Sequence, residues 1–275
     1  MIASAELRDL DFEKISRLVY DLCGINLHDG KKELVRARLG KRLREGGFRS
    51  FSEYYRHVTT EEGREELIAM IDSVSTNLTY FFREESHFRR LRQVIQTMGG
   101  TDSKKREALR IWSAGCSSGE EPYSLAITAM ESLDGRTARD VRILATDIST
   151  RVVRKAVSGM YPREKFRKVP TDLIRKYFQY GCGQWEGYYR VRKEIRDLVT
   201  FSRFNLMDPF PPDFQFNFIF CRNVMIYFDK KTQEMLVNKF YHCLREDGYF
   251  FVGHSESLTG LTHPFKYVEP SVYRR

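Results

Sequence analysis

The first part of the chain shows a helical pattern of hydrophobic positions. Apolar residues recur at three- and four-residue steps from Phe12 to Leu22, the spacing that places side chains on one face of a helix. Gly24 follows and is a typical helix stop, so the pattern predicts a helix over Asp11–Cys23. Further helices are predicted on the same grounds at Lys31–Glu45, Phe51–Val58 and Glu61–Ser73.

After about residue 100, short apolar runs alternate with helical stretches, which is typical of a parallel sheet with crossover helices. The predicted strands are Leu109–Ala114, Val141–Thr146, Phe216–Cys221 and Tyr249–Gly253. The predicted helices are Pro122–Ser132, Thr150–Ser158 and Lys230–Leu244. A stretch rich in glycine and tyrosine, Tyr180–Val199, interrupts the alternation and is predicted to form a turn and hairpin.

The change of pattern predicts the α/β class with two domains. Residues 1–75 are expected to form a small all-helical N-terminal domain, and residues 101–275 an α/β domain. Residues 76–100 are expected to be a linker helix between them. The insertion at about 178–200 is expected to form a small antiparallel β-subdomain.

Composition and charge narrow the classes of protein. The hydrophobic fraction of 41% and the charged fraction of 30% are ordinary for a globular protein, and no apolar run reaches the roughly 18 residues of a membrane span. Acidic residues near the start argue against a signal peptide, which predicts a cytoplasmic location. The five cysteines are isolated, so neither disulfides nor a metal site is expected. The net charge of +9 points to an anionic partner.

The first predicted strand runs into a glycine-containing turn, Gly115–Pro122. Small residues let a ligand approach the backbone, and Pro122 suits the first turn of a helix. Glu120 and Glu121 occupy the place where a pyrophosphate would lie, which disfavours a phosphate ligand. A carboxylate here suits a ligand with an ammonium group.

The second predicted strand ends in Asp147. In dinucleotide sites, an acidic residue at this place holds the ribose hydroxyls. The alternative is that Asp147 caps the helix that begins near Thr150. The distance from Gly115 to Asp147 is longer than usual for that fingerprint, which is explained by an extended loop at Asp134–Asp140.

Four motifs together resemble a known family. They are Thr76–Glu84 (TNLTYFFRE), Trp112–Ser124 (WSAGCSSGEEPYS), Phe220–Phe228 (FCRNVMIYF) and Gly253–Ser257 (GHSES). In this order and spacing they closely resemble the chemotaxis receptor glutamate methyltransferases, CheR. The resemblance spans nearly the whole chain. It implies a Rossmann-like S-adenosylmethionine-dependent methyltransferase domain, to whose donor site the linker contributes.

The resemblance also implies an activity and its residues. Such enzymes transfer a methyl group from S-adenosylmethionine to receptor glutamates, which yields methyl esters and S-adenosylhomocysteine. The positions implied to bind the donor are Asn77, Thr79, Arg83, Glu121, Asp147, Asn205, Leu206, Arg222 and Asn223. Arg83 and Tyr227 are implied to be closest to the chemistry. No general base is expected, because a glutamate is already ionised at neutral pH.

The expected partner is the cytoplasmic domain of methyl-accepting chemotaxis receptors, engaged by a monomer. The basic second helix, with Arg36, Arg38 and Arg42, is predicted to dock on the acidic receptor, although a solvated face is the usual meaning of such a row. The turn with Gly181, Gly183 and Gly187 resembles that of family members which bind a receptor's C-terminal peptide as an added strand.

Two other functions are open from the residues. A nucleic-acid methyltransferase would suit the charge, but no base-flipping tetrapeptide is present and the basic residues lack interleaved aromatics, so no nucleic acid is expected. A non-catalytic adaptor that binds the donor would keep Glu121 and Asp147 and lose Arg83 or Tyr227. Both of the latter are present.

Overall fold

The computed structural model describes residues 6–98, 108–133 and 141–275. Its N-terminal part is a helical bundle, whose apolar stripes, including Ile15, Leu39 and Tyr54, meet in one buried core. The four predicted helices are confirmed, with ends shifted by a few residues. They are α1 (Asp9–Cys23), α2 (Lys32–Gly46), α3 (Phe51–Val58) and α4 (Arg64–Val74).

The rest of the described chain alternates strands and helices. The helices are α5 (Glu85–Met98), α6 (Glu120–Ser132), α7 (Thr150–Ser158), α8 (Thr171–Tyr177), α9 (Lys193–Arg196) and α10 (Lys230–Cys243). The strands are β1 (Leu109–Ala114), β2 (Val141–Asp147), β3 (Met160–Pro162), β4 (Phe178–Tyr180), β5 (Tyr188–Val191), β6 (Val199–Arg203), β7 (Phe216–Cys221), β8 (Leu244–Val252), β9 (Lys266–Glu269) and β10 (Val272–Arg274).

The main sheet has seven strands in the order β6-β2-β1-β7-β8-β10-β9. Strands β6, β2, β1, β7 and β8 pair in parallel, and β10 pairs antiparallel with β8 and β9. Alternate side chains of the central strands enter two different cores, as a sheet covered on both faces requires. In β7, for example, Phe218 and Phe220 pack in one core and Ile219 in the other.

The predicted insertion is a separate three-stranded antiparallel sheet in the order β3-β5-β4. Strands β4 and β5 form the predicted hairpin, whereas β3 was not predicted. Val199, the predicted end of the hairpin, instead begins β6 at the edge of the main sheet. The boundary predicted at residues 100 and 101 and the loop Asp134–Asp140 lie outside the described residues.

The prediction of a linker helix over 76–100 is wrong for its first part. Residues 76–84 are irregular, and helix α5 begins only at Glu85. Phe82 and Glu84 have φ angles of 55° and 61°, in the left-handed region that a right-handed helix excludes. The polypeptide therefore winds past the end of the sheet before α5 starts.

Direct contacts tie the helical bundle to the α/β domain. The backbone N–H of Asn26 donates to the carbonyl of Tyr227 at 2.8 Å, and the hydroxyl of Tyr20 donates to Asp229 at 2.7 Å. No helix in the described part of the chain is both long enough and apolar enough to cross a bilayer.

Candidate active site

A cavity that is partly open to solvent lies where β1, β2 and β7 end. The carboxyl ends of strands are where open α/β sheets bind ligands. The helical bundle forms the facing wall, through Cys23, Ile25 and Val74. All positions implied to contact the donor or the reacting groups line this one cavity: Asn77, Thr79, Arg83, Glu121, Asp147, Asn205, Leu206, Arg222, Asn223 and Tyr227.

The turn after β1 passes close to the loop that follows β7. Gly115 has a φ of 91°, and a Cβ there would lie 2.3 Å from Cγ2 of Val224. The N–H groups of Gly115 and Cys116 both donate to the carbonyl of Thr146 at 2.8 Å, so the end of β2 holds the turn. Burial and the nearby Asp147 raise the pKa of the Cys116 thiol, which makes it a packing residue and not a nucleophile.

Asp147 lies at the end of β2 with its carboxylate almost fully buried. One oxygen accepts from the N–H of Ser117 at 2.8 Å and the other from the N–H of Ser149 at 2.9 Å. Burial nevertheless raises its pKa. Ser149, and not Asp147, is the residue that caps α7, since its side chain accepts from Val152. The carboxylate is thus fixed beside the cavity, and the capping alternative does not hold.

A buried arginine joins two carboxylates behind the turn. Arg222 follows β7 and donates through Nη1 to Glu121 at 3.0 Å and through Nη2 to Glu84, also at 3.0 Å. Nη2 also donates to the carbonyl of Arg83. Glu121 further accepts from the hydroxyl of Ser113 at 2.7 Å. Glu121 and Arg222 line the cavity, so the ion pair lies at its wall.

The loop that carries Asn223 and Tyr227 is held from below by Glu256. Its buried carboxylate accepts from the N–H groups of Asn223 at 2.8 Å and Ile226 at 3.2 Å. Asn223 has a φ of 58°, a strained value that these contacts maintain. The loop therefore presents Asn223 and Tyr227 to the cavity from a rigid support.

The irregular segment 76–84 forms another wall. Thr79 is buried, and the aromatic Phe81 packs into the core. Arg83 donates to the carbonyl of Leu78 at 2.8 Å, and its guanidinium lies 6.0 Å from the centre of the Tyr80 ring. This places a fixed positive charge at the cavity.

Asn205 and Leu206 complete the site from the loop after β6. The amide of Asn205 donates to the carbonyl of Leu22 at 2.6 Å and accepts from the N–H of Met207 at 3.1 Å. Asn205 therefore joins the loop to the end of α1, while Leu206 is buried beside it.

Some residues that line the cavity are not predicted from the sequence. Cys23, Ile25 and Val74 line it, yet periodicity places Cys23 and Val74 within helical stripes like any other core residue. Ser117 and Ile148, beside Gly115 and Asp147, could have been found as neighbours of the predicted strand ends.

The sequence predicts no metal site. Among the described residues, Glu84, His87 and His254 bring three ligand atoms within 4.8 Å of one another. Arg222 already binds the carboxylate of Glu84, and its charge opposes a cation at the same oxygen. Burial and Arg222 lower the pKa of His87 to about 3, so this ring is neutral. The cluster is therefore part of the Arg222 network.

The three arginines of α2 have different environments. Arg36 is exposed and donates to Glu33 on its own helix, at 2.6 Å. Arg38 donates to the carbonyls of Val74 and Ser75, at 2.7 and 3.0 Å. Arg42 donates to Glu66 of α4 at 3.0 Å. Two of the three thus also hold the bundle together.

The glycines of the inserted turn lie between β4 and β5. The N–H of Gly181 donates to the carbonyl of Tyr188 at 2.8 Å, and a Cβ at Gly181 would lie 2.2 Å from the carbonyl oxygen of Trp185. Gly183 and Gly187 have φ angles of 58° and 84°. This compact turn requires glycine at these positions.

The fold and the site define a class of protein. The order β6-β2-β1-β7-β8 is that of a doubly wound sheet, with acidic residues after its first two strands and a cavity at their ends. The chain matches family models described as "CheR methyltransferase, SAM binding domain" over residues 77–274 and "CheR methyltransferase, all-alpha domain" over residues 10–75. It is an S-adenosylmethionine-dependent methyltransferase with a Rossmann-like domain behind a helical one.

Curated relatives agree over nearly the whole chain. A "Chemotaxis protein methyltransferase" of Borreliella burgdorferi is 41% identical and covers 96% of this chain and 94% of its own length. A "Chemotaxis protein methyltransferase 2" of Pseudomonas aeruginosa is 41% identical, with 96% and 92% covered. A "Chemotaxis protein methyltransferase" of Escherichia coli is 39% identical, with 97% and 91% covered. The chain belongs to the CheR methyltransferase family.

Proposed function

We propose that this protein transfers a methyl group from S-adenosylmethionine to glutamate side chains of chemotaxis receptors, acting as a monomer on their cytoplasmic domain. The products are glutamate methyl esters and S-adenosylhomocysteine. The observation that carries the proposal is the single cavity lined by all the implied donor and catalytic positions. No contact of the described residues favours the adaptor or the nucleic-acid methyltransferase.

The residues of the cavity fit the donor chemically. Asp147 offers a fixed carboxylate for ribose hydroxyls, and Glu121 offers one for the ammonium group of the methionine part. The Nε of Arg222 is buried without a hydrogen-bond partner among the described residues. Such an orphaned donor suits a site whose ligand supplies the missing acceptor.

The proposed chemistry requires alignment and no proton transfer. When bound, S-adenosylmethionine supplies a methyl group on a positively charged sulfur. A glutamate side chain with an ordinary pKa of about 4.3 is already a nucleophile at neutral pH. The guanidinium of Arg83 attracts and orients that carboxylate, and Tyr227 lines its path. Correct orientation alone contributes about 7–11 kcal/mol to such a step.

Methyl transfer to carboxylates can be tested directly. We expect label from methyl-labelled S-adenosylmethionine to appear on receptors in receptor-rich membranes, and to be released by mild alkali, because esters hydrolyse and N-methyl groups do not. Receptors whose methylated glutamates are replaced by alanine serve as the control. Label that resists alkali would contradict a glutamate ester.

We propose that α2 docks on the receptor through Arg36, Arg38 and Arg42. Arg36 gives the sharpest test, because Arg38 and Arg42 have structural contacts whose loss would confuse the result. Arg36→Glu is expected to lower receptor methylation about fivefold at low salt and less at high salt, since exposed charges are screened over about 8–10 Å. The matched control is Lys266→Glu, an exposed charge reversal on β9. Equal losses in both variants would remove α2 from docking.

We also propose that the β-subdomain binds the C-terminal peptide of a receptor near the Gly181, Gly183 and Gly187 turn. Strand β4 has a free edge in the described part of the small sheet. A groove of the same subdomain is lined by Arg163, Arg167, Arg175, Phe178 and Tyr180 among others, which suits added backbone and a terminal carboxylate.

A longer loop in place of residues 181–187 is expected to abolish peptide binding measured by calorimetry. Methylation of receptors without the peptide should be unchanged, because the turn does not line the donor cavity. A peptide with an amidated C-terminus is the control for the arginines and should bind about tenfold more weakly. Absence of binding to the unaltered protein would refute the tether.

A further inference from the structure

Glu84 lies directly behind the donor cavity but does not line it. Its carboxylate accepts from Arg222 at 3.0 Å, from the amide of Asn223 at 3.3 Å and from the N–H of His254 at 3.1 Å. The residue adopts a left-handed backbone conformation, with a φ of 61°, that turns this side chain toward Arg222. Glu84 is therefore held in a strained and specific position, as residues that serve a site often are.

Two carboxylates share Arg222 in this cluster, and Arg83 adds a second, more distant positive charge on the side of Glu84. Arg222 lies between the carboxylates of Glu84 and Glu121, at 3.0 Å from each, so one positive charge faces two negative ones. His87, which packs beside Glu84, is neutral, and Glu84 lies 3.9 Å from Arg83. The side chains of Glu84, Glu121 and Arg222 are all largely shielded from water, where charge interactions are strong.

The two carboxylates differ although they share one arginine. Burial acts to raise the pKa of Glu84, but Arg222 and Asn223 outweigh it, and its pKa is lowered. For Glu121, burial outweighs Arg222 and Ser113, and its pKa is raised. The hydrogen bonds agree, since Glu84 accepts from Arg222, Asn223 and His254, whereas Glu121 accepts from Arg222 and Ser113. Glu84 is therefore the better compensated carboxylate, and Glu121 has the greater preference for a further cation.

We infer that Glu84 is a positioning residue that neutralises the positive charge of Arg222. The negative charge of Glu121 then remains available to the ammonium group of the donor. The inference rests on the proposed function and adds a residue outside the cavity to it. Without the carboxylate of Glu84, Arg222 would pair fully with Glu121, and the cavity would lose its preference for a cationic group.

Two ligands separate this role from a structural one. S-adenosylhomocysteine carries the amino-acid part with its ammonium group, and 5′-methylthioadenosine lacks that part. Glu84→Gln is expected to weaken binding of S-adenosylhomocysteine about tenfold or more, because Glu121 would lose its charged contact with the ammonium group of the ligand. Binding of 5′-methylthioadenosine should change less than about twofold. Calorimetric titration measures both affinities. Glu85→Gln, an exposed neighbour on α5, is the matched control and should change neither.

A double variant tests whether Glu84 acts through Glu121. Glu84→Gln added to Glu121→Gln should cost S-adenosylhomocysteine affinity less than about a further twofold. Glu84→Asp keeps the charge and should retain, within about threefold, the wild-type ratio of the affinities for S-adenosylhomocysteine and 5′-methylthioadenosine. This variant takes the place of Glu84→Gln if the glutamine variant does not fold. Equal losses for both ligands, or no loss for either, would overturn the inference. Failure of the unaltered protein to bind S-adenosylhomocysteine would instead overturn the proposed function.

Discussion

Arg222→Met is expected to lower the free energy of unfolding by about 3–5 kcal/mol at neutral pH, because removing one partner of a buried ion pair leaves uncompensated charge. Arg222 is only 5% exposed and pairs with both Glu84 and Glu121. Without it, two carboxylates would face each other inside the protein. Urea denaturation of both proteins measures the difference.

The loss should shrink as the pH falls. In the unaltered protein, the lowered pKa of Glu84 gives stability that is fully present above the ordinary pKa of a glutamate and is lost as the pH falls through the lowered pKa. In the variant, both carboxylates would have raised pKa values, so protonation stabilises its fold as the pH falls. The triple variant Arg222→Met, Glu84→Gln, Glu121→Gln is the control and should recover most of the loss. A difference below about 1 kcal/mol at neutral pH would contradict the assignment of a buried pair.

Asp147→Ala is expected to weaken binding of S-adenosylhomocysteine about 100-fold or more. A charged acceptor contributes about 1.5–3 kcal/mol per hydrogen bond, and two ribose hydroxyls would lose theirs. About 1.4 kcal/mol corresponds to a factor of ten in affinity. The variant also leaves the N–H groups of Ser117 and Ser149 without their acceptor. Calorimetric titration measures the affinity, and thermal unfolding shows that the variant is folded.

Asp72→Ala separates ligand contact from local damage. Asp72 accepts from the hydroxyl of Thr150 and the N–H of Arg151, at the start of the same helix α7, but does not line the cavity. The affinity of the Asp72→Ala variant for S-adenosylhomocysteine should stay within about threefold of that of the unaltered protein. An unchanged affinity in Asp147→Ala would remove Asp147 from the ribose role.

Strands β1 and β7 were predicted with their full bounds, because both are apolar runs that neighbouring strands and helices bury on both faces. Strand β8 was predicted to begin at Tyr249 but begins at Leu244, where α10 was predicted to end. The first part of β8 could not be predicted, because the polar residues of Arg245–Gly248 have a low propensity for strands. Strands β6, β9 and β10 and helix α8 were also missed, being short and partly exposed.

Within the candidate site, residue chemistry alone pointed to Glu121 and Asp147, since both follow predicted strands. Asn77 and Asn205 came only from the family resemblance. Their partners cannot be read from local patterns, because Asn205 bonds to Leu22, 183 positions away. The contact between Arg42 of α2 and Glu66 could not be predicted either, because in the sequence Arg42 is one of a row of similar cations.

The cavity has one wall from the helical bundle and the others from the α/β domain. A donor or product bound in this cavity, as proposed above, would contact both the bundle and the α/β domain. Its binding free energy, about 2.7 kcal/mol at 100 times the dissociation constant, would then stabilise both against unfolding. Cys23, Ile25 and Val74 are the bundle residues through which such a ligand would link the two parts of the chain.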